Sequence, residues 1–279
     1  MAEHDAGAAL VARDVVRIDG TDAAAYLQGQ LSQDVLALDV GDAAWTFVLQ
    51  PQGKVDAWCR LTRVADEAFL ADVDAGHGEA LLTRLRRFLL RTKAELSMTT
   101  EPMIAVRGID TVSVPNGVLA LAPAWPGVAG VDLLGTDIVP EGLAVLTAEA
   151  LERLRIEAGV PAMGAELTER TIPAEAGVVE RSVSFTKGCF TGQELVARID
   201  SRGGNVPRHL RLLRSEEGNL AVGAEVSVDG HVVGEVTSAV PAAGDHAAVA
   251  LAYVGRAVEP PADAVVDGAP VQVRELPRL

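Results

Sequence analysis

The last quarter of the chain narrows the fold more than any other stretch. From about Arg208, six short β-rich runs follow one another within about 70 residues: "HLRLL", "AEVSV", "HVVGEVTSAV", "HAAVALAYV", "DAVVD" and "PVQVREL". Dipeptides such as Asp229-Gly230 and Asp267-Gly268 separate them. Both central residues of such a turn tolerate positive φ, which a tight hairpin requires. Short strands at this spacing are expected to close into a small all-β barrel.

The texture upstream is different. Residues 15–18 read as a strand ending at Gly20, and Thr21 as the cap of a helix with Ala24, Leu27 and Leu31 on one face. In "WTFVL", Trp45, Phe47 and Leu49 alternate as in a half-buried strand. The turn Gln50-Pro51-Gln52-Gly53 leads into a partner strand over 54–63, followed by a third over 68–73. A helix is expected over 79–90, with Leu81, Leu82, Leu85, Phe88 and Leu89 as its stripe. Residues 101–146 read as Gly/Pro-punctuated short strands without an assigned order. Thr147 opens a helix through "AEALERLRIEAG", with Leu151, Leu154 and Ala158 on one face, Gly159 as terminator and Pro161 beyond it. Strands and helices in this order predict an α+β fold with helices on antiparallel sheet. The expected division is an α+β region of two intertwined subdomains over 1–205 and the barrel over 206–279.

Charge and cysteine usage remove several function classes. The chain has 24 Lys and Arg against 39 Asp and Glu, a formal charge of −15, which disfavours nucleic acid and anionic membranes as partners. With 49% hydrophobic but only 4% aromatic residues, Leu, Val and Ala must fill the core. Two cysteines cannot form a disulfide framework, and neither CxxC nor Cys/His metal spacing occurs, so no metal site is expected. Two thiols are also too few to hold an iron–sulfur cluster with four cysteine ligands. The acidic start lacks the features of a signal peptide, and no run reaches the ~20 apolar residues of a membrane span. The expectation is a cytoplasmic protein with reduced thiols.

One cysteine lies in "FTKGCFTGQELVARI", residues 185–199. Thr191-Gly192-Gln193-Glu194 fits a capping box, with Leu195, Val196 and Ile199 on the apolar side of the helix it would open. Cys189 then precedes a helix N-terminus, and Lys187 stands two residues before it; both favour thiolate, while Glu194 opposes. Between Arg181 and Arg214 there are seven basic and two acidic residues, a local charge of +5 that leaves −20 on the remainder. Such a field suits a small anionic ligand. Read from the residues alone, Cys189 is either a reactive thiol or an inert small hydrophobe. Cys59, mid-strand beside Trp58, reads as structural.

"KGCFTGQE" resembles the Lys-Gly-Cys-(Tyr/Phe)-x-Gly-Gln-Glu signature of the YgfZ-type folate-binding proteins, relatives of the aminomethyltransferase of the glycine cleavage system. "RIDGTDAAAYLQGQLSQDV" and "LRIEAGVPAMGAELTERTIPAEAG" resemble two further segments of that family, and the β-rich C-terminus fits its terminal barrel. The resemblance implies a central folate cavity, tetrahydrofolate or a derivative as cofactor, and iron–sulfur client or assembly proteins as partners. It implies that Lys187 and Cys189 carry the chemistry, that Gln193 and Glu194 form a cap, and that Arg155 and Glu157 face folate, with Lys54, Asp56 and Gln193 also among the cofactor-binding residues. A carboxylate such as Glu157 can accept the paired N–H groups of a pterin edge, and an Arg or Lys can meet the acidic tail.

One departure bears on activity. Where the aminomethyltransferases carry Gly-Gly-Ile-x-Asp-Asp, this chain reads Gln52-Gly53-Lys54-Val55-Asp56-Ala57. One carboxylate is kept and Lys54 adds a positive charge, which makes glycine-cleavage chemistry doubtful while leaving folate binding open. Three functions follow. The first is a folate-binding accessory factor for iron–sulfur cluster assembly or repair. The second is a folate-dependent one-carbon transferase or demethylase using Asp56 as base. The third is a folate-sensing regulator without chemistry.

Overall fold

The structure, a computed structural model, describes residues 6–278. Its N-terminal part comprises β1 (Gly7–Asp19), α1 (Ala23–Gln30), β2 (Ala43–Leu49), β3 (Val55–Ala65), β4 (Ala68–Asp74), α2 (Gly78–Arg86), β5 (Glu95–Arg107), β6 (Leu119–Leu121) and β7 (Gly130–Leu134). These strands form an antiparallel sheet in the order β2-β3-β4-β1-β5-β7-β6. Its centre is a 13-residue ladder from Gly7↔Arg107 to Asp19↔Glu95. The sequence reading recovered only the end of β1. Its first half is alanine-rich, and the long ladder to β5 supplies what local propensity lacks.

The helices α1 and α2 cover one face of the sheet. Tyr26, Leu27 and Leu31 pack with Leu81, Leu82 and Leu85 against Val16, Ile18, Ala71 and Val73. Three local expectations are corrected here. The cap of α1 is Asp22 rather than Thr21, and the Asp22 carboxylate accepts the Lys93 N–H at 2.8 Å instead of capping the helix. The helix α2 ends at Arg86, which leaves Phe88 and Leu90 exposed. Residues 46–49 are buried on both sides, because Val48 faces the helices while Phe47 and Leu49 face a second core.

That second core forms where later elements wrap the sheet: α3 (Ala148–Glu157), α4 (Val179–Ser182) and α5 (Gln193–Asp200). The cap of α3 follows the sequence, the Thr147 hydroxyl accepting the Ala150 N–H at 3.1 Å and Gly159 adopting φ 65°. On α3, Leu154 packs with Ala9 and Leu146, and Ile156 with Leu210, Val249, Leu251 and Tyr253. This helix therefore joins sheet to barrel.

The barrel comprises β8 (Arg208–Ser215), β9 (Glu225–Val228), β10 (His231–Val240), β11 (Ala248–Gly255), β12 (Ala262–Val266) and β13 (Ala269–Arg274), closed in the order β10-β11-β8-β13-β12-β9. All six runs foreseen from the sequence are strands. Both Asp-Gly turns carry positive φ at each residue: 50° and 78° at Asp229-Gly230, 49° and 83° at Asp267-Gly268. The fold is thus α+β with a closed C-terminal barrel. Among the described residues no helix is long and apolar enough to cross a membrane.

The sheet face opposite α1 and α2 buries charge. Arg13 and Arg60 each meet Asp72 at 3.0 Å, and Arg60 and Arg107 each meet Asp132 at 2.8 Å. Arg13 also pairs with Asp74. Burial pushes Asp132 up, but Arg107 and Arg60 outweigh it and hold the carboxyl below its ordinary range.

Candidate functional site

Three segments meet around the Lys-Gly-Cys sequence: the end of α1, the β2–β3 turn and the loop running from α4 to α5. Ser32, just past α1, is their common anchor. Its hydroxyl donates to the Ser182 carbonyl at 2.6 Å and accepts the Phe47 N–H at 2.8 Å, while its own carbonyl accepts the Ser184 N–H at 2.9 Å. The Trp58 indole donates to the Ser182 hydroxyl at 2.9 Å, fixing the start of the loop on β3. Further along, the Thr191 N–H donates to the Gly29 carbonyl at 3.1 Å.

Lys187 is the strongest of these fasteners. Its ammonium donates to the carbonyls of Gln28, Leu31 and Gln33 at 2.7, 2.7 and 2.8 Å. An ammonium has three donors, and the end of a helix presents unpaired carbonyls, so the match is complete. Burial pulls its pKa down to about 8, with Asp34 acting the other way. The Lys187 charge also lies 5.3 Å from the Phe190 ring centroid. Its charge is therefore committed to holding the loop on α1.

The capping box expected at Thr191 is absent. Gly192, at φ 82°, occupies the cap position of α5 and has no side chain to offer. A Cβ on Gly192 would come within 2.5 Å of the Gln50 carbonyl oxygen, and one on Gly53 within 2.5 Å of Leu195 Cβ. Close approach of the two backbones thus overrides the local signal. Gln193 serves differently from the expected cap, its Oε1 accepting the Phe190 N–H at 3.1 Å.

Between these fixed points Cys189 is exposed. Cys59 is its opposite: fully buried on β3, its thiol is pushed up to about 12 by burial, with Asp72 adding and Arg13 opposing. The structural reading of Cys59 holds. A groove of about 450 Å³ runs along the other side of α5, lined by Val196, Ile199 and Asp200 together with Ile172 and His209.

The remaining expected site residues divide. Asp56 and Lys54 lie at the β2–β3 turn, beside the loop. The Asp56 carboxylate accepts from Arg84 Nε at 2.9 Å, and Arg84 also reaches the Leu49 carbonyl at 2.9 Å and Gln30 Oε1 at 3.3 Å. Lys54 is half-buried and makes no ion pair among the described residues. Arg155 and Glu157 lie on α3, away from this assembly. Arg155 pairs with Glu152 at 2.6 Å and Glu166 at 3.1 Å, and donates to the Ser238 hydroxyl at 2.7 Å. It is a latch between α3 and β10. Glu157 is half-buried and engaged within the protein. Among the described residues no group of three or more His, Cys, Asp and Glu is placed to hold a metal ion.

Arg84 escaped the sequence reading, although it interrupts the apolar stripe between Leu81, Leu85 and Phe88. A cation on such a stripe signals a buried partner. Ser32 and Ser182 left no local signal, because 150 residues separate them.

No family model matches the chain. An uncharacterized protein of Haemophilus influenzae is 27% identical over 237 residues, covering 81% of each chain. The tRNA-modifying protein YgfZ of an Enterobacter strain is 28% identical over 67% of this chain and 65% of its own. An iron–sulfur cluster assembly factor, the mitochondrial IBA57 homolog of Mycosarcoma maydis, is 29% identical over 68% of this chain and 53% of its own. The matched stretch thus spans less than two thirds of the YgfZ and IBA57 relatives. Among solved structures, the glycine cleavage system aminomethyltransferase T from Bartonella henselae superposes with a TM-score of 0.80 at 20% identity, covering 98% of this chain and 87% of that one. The fold is therefore that of the aminomethyltransferases, with the C-terminal barrel included. Within that fold the chain is similar to YgfZ-type proteins, in keeping with the resemblance of its Lys-Gly-Cys segment.

Proposed function

We propose that this chain is a tetrahydrofolate-binding accessory protein for the assembly or repair of iron–sulfur clusters in client enzymes, with Cys189 as its reactive thiol. The observation that carries the reading is the pairing of an exposed Cys189 with a half-buried, three-carbonyl fastening at Lys187. A sulfur displayed on a rigid support can meet a partner in one orientation, which a transient bond to sulfur or iron needs. One thiol cannot hold a cluster, so the partner must bring the other ligands. The relatives named for iron–sulfur assembly and for tRNA modification support an accessory role. The charge of −15 favours proteins over RNA as the direct contact. Action in the cytoplasm, and a functional division near residue 205, belong to the same proposal.

The transferase or demethylase reading needs an unencumbered base, and Asp56 is held by Arg84. A folate sensor would not need Cys189 at all. Complementation separates the three. Cys189→Ala is expected to abolish most of the rescue of a cluster-dependent enzyme in cells lacking the protein, while Cys59→Ala retains it. Native protein should react with iodoacetamide at Cys189 alone, and at both cysteines after denaturation. Full rescue by Cys189→Ala would remove the thiol from the function, and turnover of an aminomethyl donor with tetrahydrofolate would establish the transferase instead.

A further inference from the structure

Arg181, on α4, carries a charge that the protein itself does not neutralise. The buried arginines of the sheet and of α2 each meet a carboxylate: Arg13 and Arg60 at Asp72, Arg107 at Asp132, Arg84 at Asp56. Arg153, which meets none among the described residues, donates to two carbonyls instead. Arg181 is half-buried and forms no ion pair among the described residues. Its guanidinium makes one hydrogen bond, to the Ala124 carbonyl at 2.5 Å, and lies 5.6 Å from the Trp58 ring centroid. A guanidinium has five N–H donors, so most of this fork is unused. Withdrawing a cation from water without a counter-charge is unfavourable, and burial accordingly lowers the Arg181 pKa to about 10.

The same side chain opens onto a cavity of about 280 Å³, lined by Pro126, Gly177, Glu180, Arg181, Pro277 and Arg278. Two arginines and one exposed glutamate give this space a net positive charge inside a strongly acidic protein. Arg278 stands at the rim in the C-terminal tail, where its pairing with Glu275 at 3.4 Å is solvent-exposed and weak. The tail is fastened below it, Leu276 packing against the core formed by Ile156, Leu210 and Tyr253.

We propose that this cavity binds a small carboxylate, which Arg181 receives through its unused donors and Arg278 closes over from the rim. The geometry favours carboxylate over phosphate. A planar carboxylate matches the guanidinium fork, and a single negative charge balances the cavity while Glu180 repels a dianion. The inference does not depend on the folate reading or on Cys189.

The test is a titration of the full chain with sodium glutamate, followed by Trp fluorescence and thermal shift. Sodium chloride and sodium phosphate at matched ionic strength are the comparators. Trp58 beneath Arg181 should report a saturable change with glutamate that chloride does not give. Arg181→Gln should weaken the apparent affinity by about tenfold or more, the loss of one charge-assisted bond. Arg278→Gln should weaken it by about threefold, as a solvent-exposed partner would. Because Arg278 is in the exposed tail, that variant decides the matter even if Arg181→Gln fails to fold. A free tetrahydropterin and tetrahydrofolate complete the set. Displacement of glutamate by tetrahydrofolate alone assigns the carboxylate to the folate tail, and absence of displacement assigns it to a separate metabolite. Unsaturable responses, a preference for phosphate, or variants that titrate as wild type would overturn the proposal.

Discussion

The barrel interior and one face of the seven-stranded sheet are buried by opposite means. Inside the barrel, Leu213, Val226, Val236, Ala250, Ala252, Val266, Val271 and Val273 meet without a charged group among them. On the sheet face opposite α1 and α2, Arg13, Arg60, Asp72, Arg107 and Asp132 form a connected ionic chain. An apolar core is non-directional, and its cost on truncation scales with lost hydrocarbon. An ionic core is directional: each member positions the next, and removing one strands the others in low dielectric. The directional half is the one that carries Trp58, Arg181 and the strands from which the cysteine loop is hung.

The largest test of this contrast removes one member from each core. Asp132→Ala leaves Arg60 and Arg107 without their shared carboxylate, and should cost about 3–5 kcal/mol. Val226→Ala removes a buried isopropyl group from the barrel and should cost about 2 kcal/mol. Urea unfolding of both variants measures the two values. If Asp132→Ala is the milder change, the ionic chain does not organise the sheet and the contrast fails.

The same contrast explains what the sequence disclosed. Every barrel strand was legible, because its determinants are local: alternation within each run and Asp-Gly at the turns. The ionic chain was not, because Arg60 meets Asp132 across 72 positions and nothing near either residue marks the other. At the site the divide is sharper still. Cys189 could be singled out from its neighbours and from family resemblance, but the role of Lys187 depends on three carbonyls more than 150 residues away. The capping box at Thr191 failed for a related reason: a local pattern was overruled by a distant backbone, that of Gln50 and Gly53.

Two glycines of similar φ sharpen the point. Gly192 at 82° abuts the β2–β3 turn, whereas Gly230 at 78° has nothing within 4 Å of where a Cβ would stand. Alanine at Gly230 meets only the left-handed backbone penalty, about 1 kcal/mol. Alanine at Gly192 adds a collision with the Gln50 carbonyl and should cost about 3 kcal/mol. The Gly192 variant should also change the rate of iodoacetamide labelling at Cys189 by releasing the loop from the turn, while the Gly230 variant leaves that rate unchanged. Equal costs and equal rates would show that the Gly53–Gly192 approach does not hold the site.

The smallest effect expected is a pH dependence confined to the sheet half. The Lys187 pKa is about 8 in the folded protein, below the ordinary lysine value of 10.5. Between those values the unfolded chain binds more protons than the folded one, so stability rises with pH across the window. Below about pH 8 both states are protonated and the contribution is flat. Lys187→Met removes the titrating group, so the stability of wild type relative to this variant should increase from about pH 8 to 10. Urea unfolding at a series of pH values measures the difference, and the barrel variant Val226→Ala, referenced in the same way, should show no slope. A wild-type advantage that falls over this range would mean that the three carbonyls stabilise the ammonium more than burial disfavours it. The fastening of the cysteine loop would then strengthen toward neutral pH, reversing the predicted order.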